Sequence, residues 1–120
     1  MRKEISFLEK FLYLINWTFL VLILLTIPMS GGGVEHITFI DKIVHFFMFG
    51  IFSYLIIFTF VNRINKHLLH VLAIFLGIGY ALVGEYLQSF IPSRDVSEAD
   101  FLAGVVGVIC FVAIASRGGK

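Results

Sequence analysis

Charge is scarce in this chain. Lys, Arg, Asp and Glu supply 14% of its 120 residues, against about a quarter in an ordinary soluble domain. That shortage excludes a normally solvated globular surface. Cysteine occurs once, as Cys110, which excludes an intramolecular disulfide. Lying in an apolar segment, it reads as a small packing residue. Proline is confined to Pro28 and Pro92, each at the end of an apolar block. A net charge of +1 leaves nothing in the charge balance that calls for nucleic acid as a partner.

What the chain has instead is hydrocarbon. Hydrophobic residues make up 59% of it and the mean hydropathy is +0.99. They come in blocks of about 20 residues, the length of helix that crosses roughly 30 Å of lipid. These features predict an all-α integral membrane protein, a single domain folded as a four-transmembrane-helix bundle. The blocks place helices at about 7–27, 43–61, 68–91 and 100–116. The fourth is the shortest; residues 101–116 reach only about 24 Å, which puts Asp100 in the interface. The first block could also be read as a cleaved signal peptide, but its apolar stretch exceeds the usual core of about 7–15 residues. A retained span is the expectation.

Basic residues set the expected orientation. Arg2, Lys3, Lys10, Arg63, Lys66, Arg117 and Lys120 fall on one side of a four-pass arrangement, and only Lys42 and Arg94 on the other. Both termini are therefore expected in the cytoplasm. Glu35, Asp41, Glu85, Asp95, Glu98 and Asp100 lie toward the outer side.

That topology gathers the polar residues of the apolar segments. Asp41 and His45, four apart on one helical face, would open the second helix. Glu85 and Gln88 would close the third, Asp100 would open the fourth, and Arg94 lies in the loop between them. A carboxylate at bilayer depth costs about 2.5–3.5 kcal/mol on insertion scales, so Glu85 is expected to face a protein interior or a wet cavity. Gly77, Ala81, Gly84 and Gln88 share one helical stripe with Glu85 on its flank, and Asp100, Gly104 and Gly107 share another. Small residues permit close helix approach, so the third and fourth helices are expected to pack along these stripes. Tyr80 and Tyr86 would cap or line the same region. Plainer roles compete for several members. Asp41 and Asp100 suit helix N-termini, Gln88 suits interhelical bonding, and His45 suits a structural partner of Asp41.

The same residues carry a family resemblance. Asp41-Lys42-Ile43-Val44-His45-Phe46, Glu85-Tyr86-Leu87-Gln88, Pro92-Ser93-Arg94 and Ser97-Glu98-Ala99-Asp100 stand in order before a glycine-bearing helix. In this the chain resembles the VanZ-like family, small bacterial membrane proteins named for a teicoplanin-resistance protein. The resemblance spans about residues 41–107; the first helix shares hydrophobicity only. It implies a multi-pass protein of the bacterial cytoplasmic membrane with a link to glycopeptide tolerance, and it supplies no reaction. The family often has Asn where this chain has Gly104, which predicts a roomier pocket lacking one donor.

Three functions compete on these residues. In the first, Asp41, Lys42, His45, Glu85, Gln88, Arg94 and Asp100 bind a polar or anionic head group of a membrane lipid or lipid-linked cell-wall precursor. Arg94 would then act as bidentate donor. In the second, His45 and Glu85 serve as base and acid on a lipid-linked substrate. No nucleophile motif supports it, since Ser89, Ser93 and Ser97 lack diagnostic surroundings, and no cofactor is called for. A divalent metal on Asp41, His45, Glu85 and Asp100 is its variant form. In the third, the cluster only locks the helices of a structural or accessory subunit.

Overall fold

A computed structural model describes residues 6–26, 34–90 and 98–118. They form four helices, α1 (Phe7–Thr26), α2 (Val34–Phe60), α3 (Lys66–Gln88) and α4 (Glu98–Gly118), with no strand among the described residues. All four are long and apolar enough to cross a membrane. At about 1.5 Å per residue, even the 20 residues of α1 reach the thickness of a hydrocarbon core. Helices suit that solvent because each backbone polar group is satisfied within its own segment.

Local chemistry starts the helices where polarity returns. Ser6 and Glu9 form a reciprocal capping box on α1: Ser6 N–H donates to Glu9 Oε1 at 3.0 Å, and Glu9 N–H to Ser6 Oγ at 3.2 Å. Asn65 caps α3, its Oδ1 accepting from the N–H groups of His67 and Leu68.

Two boundaries differ from the sequence expectation. Helix α2 begins at Val34, so Asp41 lies inside it and has no capping role. Helix α4 has 21 residues, about 32 Å, and crosses with length to spare; Asp100 sits in its first turn.

The interior is built around α2, which packs against the other three helices. The expected small-residue stripe of α3 is buried as Leu69, Ala73, Gly77, Ala81, Gly84 and Gln88. The glycines of α3 and α4, however, meet α2 as closely as each other. A Cβ on Gly77 would strike Ser53 Oγ of α2 and lie 2.8 Å from Val108 of α4. On Gly107 it would strike the carbonyl oxygen of Phe46 in α2. The expected α3–α4 contact exists, but α2 fills the angle between them and takes the tightest approach.

Helix α1 is fastened by side-chain bonds to backbone. Trp17 Nε1 donates to Met48 O at 2.9 Å, and the Tyr80 hydroxyl donates to Thr18 O at 2.7 Å. Across the bundle, Ser53 Oγ donates to Ala73 O at 2.9 Å. The outer surface carries the expected Phe, Leu, Ile and Val side chains, among them Phe19, Phe75 and Ile114. Cys110 is exposed on that surface as well, which corrects its reading as a packing residue.

Candidate functional site

The site rests on Phe49, whose ring is buried at the junction of three helices. A Cβ on Gly84 of α3 would lie 3.2 Å from Phe49 Cζ, and one on Gly104 of α4 would lie 2.8 Å from Phe49 Cδ2. Tyr80 packs edge-on to the same ring, with centroids 5.5 Å apart. Glycine at 104 lets α4 close on this ring, and glycine at 84 brings α3 against both the ring and Leu25 of α1, 2.9 Å from an added Cβ.

One helical turn toward the near end of the bundle lies the polar layer. Helices α2 and α4 start at this end and α3 finishes there. The step therefore leads from Phe49 to His45, from Gly84 to Gln88 and from Gly104 to Asp100. All three are buried, at 4%, 3% and 6% exposure. None is without an interaction, as buried polar groups require. The His45 ring leans on Phe49 at 5.9 Å between centroids. Above the layer, Lys42 Nζ approaches Asp100 Oδ1 at 3.5 Å, with 33% of the Lys42 side chain exposed against 9% for Asp100. Among the described residues Lys42 is the cation at this mouth, tied to the Asp100 carboxylate.

Glu85 stands apart from this layer. It flanks the core stripe of α3, and its Oε2 is shielded with no hydrogen-bond partner. The side chain lines a hollow of about 500 Å³ with Leu82, Val83, Tyr86 and Ser89. Tyr86 is 66% exposed and meets Phe90 edge-on at 5.1 Å. The Ser89 hydroxyl donates to the carbonyl of Tyr86.

The structure therefore brings His45, Gln88, Asp100 and Lys42 together at one end and sets Glu85 on their flank. Arg94 lies outside the described residues, as do Pro92, Ser93 and Ser97; Asp41 is described in its backbone only. Tyr86 lines the hollow beside Glu85, whereas Tyr80 lies deeper and belongs to the floor. Among the described residues no three His, Cys, Asp or Glu side chains converge as metal ligands do.

The roomier pocket expected at Gly104 is corrected, because the Phe49 ring occupies the space an Asn side chain would need. The residue missed by sequence reasoning is Phe49 itself, hidden among fourteen phenylalanines. Its one signal was its place a turn below His45, on the same face.

No family model, curated protein or solved structure matches this chain. The class that fold and site define is a helical bundle of membrane-crossing dimensions. A buried polar layer lies at one end of it.

Proposed function

We propose that this chain is a VanZ-like protein of the bacterial cytoplasmic membrane, with both termini in the cytoplasm. Its polar layer and the flanking Glu85 bind the head group of a lipid or lipid-linked cell-wall precursor at the outer face, and through that binding the protein contributes to glycopeptide tolerance. Glu85 is the observation that carries the reading. A shielded acceptor without a donor costs about 1–3 kcal/mol, and a purely structural cluster has no use for that cost. A head group bearing hydroxyl or ammonium donors would satisfy Glu85, while Lys42 and Arg94 meet its phosphate or carboxylate.

Lipids retained by the purified protein test this directly. Mass spectrometry should find a head-group species on the wild type that falls about tenfold with Arg94→Ala or Glu85→Gln, the loss of one charge-assisted bond. An unchanged lipid profile in both variants would remove the proposal. Orientation is checked separately in a Cys110→Ala background. An exposed Asn62→Cys should react with a membrane-impermeant maleimide only after cells are opened; labelling of intact cells reverses the topology and moves the site to the inner face.

A second reading, the packing lock, draws on a different observation. His45, Gln88 and Asp100 are each buried and engaged, which is also what a specificity device between helices requires. Unfolding of Glu85→Gln together with His45→Ala would favour it. Folded variants that have lost the lipid favour the binding site.

A further inference from the structure

At the opposite end of the bundle lies a second feature, which the polar layer does not use. Helices α1, α2 and α3 leave a slot of about 340 Å³ lined by Leu14, Ile15, Phe19, Phe52, Phe60 and Leu76. Thr18 also borders it, with its hydroxyl turned away to donate to Leu14 O at 2.8 Å. The slot is accordingly apolar along its whole length. Tyr80 packs behind two of its lining residues: its ring meets Phe52 at a tilt, centroids 4.7 Å apart, and its hydroxyl donates to Thr18 O. Phe19 and Leu76 are partly exposed on its rim, so it opens sideways to lipid.

The slot ends under a cation. Phe60 meets Phe7 edge-on at 5.6 Å, and the Arg63 guanidinium lies 3.8 Å from the centre of the Phe7 ring. The Phe7 ring covers one side of the guanidinium, whose five N–H donors can still serve an anion beside it. Lys10, over the Phe58 ring at 4.9 Å, adds a second positive charge. Lys66 and Arg117 lie at the same end, where Glu9 is the one acid among the described residues. Glu9 is already committed to the Ser6 capping box.

Dimensions select the occupant. From Phe60 to Phe52 the slot runs about 12 Å along α2, close to the roughly 15 Å depth of one leaflet of hydrocarbon. Arg63 then stands at phosphate level. We infer that the slot seats one acyl chain of an anionic phospholipid, in the leaflet opposite the polar layer, with its phosphate held by Arg63.

Native mass spectrometry of the full chain in detergent, titrated with phosphatidylglycerol or phosphatidylcholine of identical chains, tests the inference. Phosphatidylglycerol should bind about fivefold more tightly, the value of one basic residue at the membrane surface. Arg63→Gln should bring the two lipids to parity. Leu76→Phe, at a partly exposed rim position, should weaken both by filling the slot. Arg117→Gln, an exposed basic residue at the same end that belongs to neither site, should leave the preference intact, which separates the Arg63 contact from the general charge of that end. Glycerophosphoglycerol, the same head group without chains, should not displace bound lipid. Parity in the wild type, a preference that survives Arg63→Gln or vanishes with Arg117→Gln, or displacement by the chain-free head group would each overturn the assignment.

Discussion

Gly107→Ala should yield no stable bundle, whereas Gly79→Ala should be purified as readily as the wild type. The contrast is geometric. A Cβ at position 107 would strike the carbonyl oxygen of Phe46 and lie 2.8 Å from its carbonyl carbon and 3.0 Å from its Cα. These are backbone atoms of a helix and cannot rotate aside. To make room, α4 must move away from α2 and open the contacts at Gly50 and Gly104 as well. Losses of more than about 4 kcal/mol are exceptional for one substitution, and this is a site where one is expected. Position 79 has nothing within 4 Å of the added carbon, so alanine there meets open space and gains about 1 kcal/mol of helix propensity. Thermal unfolding followed by size exclusion reads both. A Gly107→Ala protein with wild-type stability would show that α2 and α4 do not touch as described.

The Lys42–Asp100 pair should respond unequally to removal of its two ends. Lys42→Met takes the cation from a carboxylate whose side chain is 9% exposed. Stripping one partner from a buried pair costs about 3–5 kcal/mol, and partial exposure of the ammonium brings the expected loss to about 2 kcal/mol. Asp100→Asn leaves an ammonium that extends into water on its own stem. That change should cost about 1 kcal/mol, part of it the favourable placement of an acid in the first turn of α4. The double variant should match Asp100→Asn alone, since the carboxylate that Lys42 neutralises is then gone. Equal losses in the two single variants, measured by thermal unfolding, would mean that the pair is not the asymmetric one seen here.

The spans themselves could be read from hydropathy because lipid imposes one requirement on every residue of a crossing helix. Where helix extends beyond that solvent, the requirement lapses. Residues such as Glu35, His36 and Asp41 look like loop in sequence although α2 runs through them. The same blindness shortened α4, whose ends carry Glu98 and Arg117. Small-residue spacing revealed which faces of α3 and α4 would be buried. It could not reveal the neighbour, since a glycine announces close approach without naming what approaches. Gly50 and Ser53 on α2 decided that. Convergence of His45, Gln88 and Asp100 at one end followed from helix order alone. The pairing of Lys42 with Asp100 did not, because it depends on helix register, and register is set by the fit of Phe49 between Gly84 and Gly104.

Phe49 and Gly104 consequently form a single packing unit. The ring fills the volume that a side chain at position 104 would need, so neither position can drift alone without a clash or a void. An asparagine at 104 requires a smaller residue at 49, and it would exchange an aromatic floor for a polar one directly beneath His45. A chain built on this plan can therefore have a dry, rigid base or a wet, adjustable one. Crossing between them takes two coordinated substitutions.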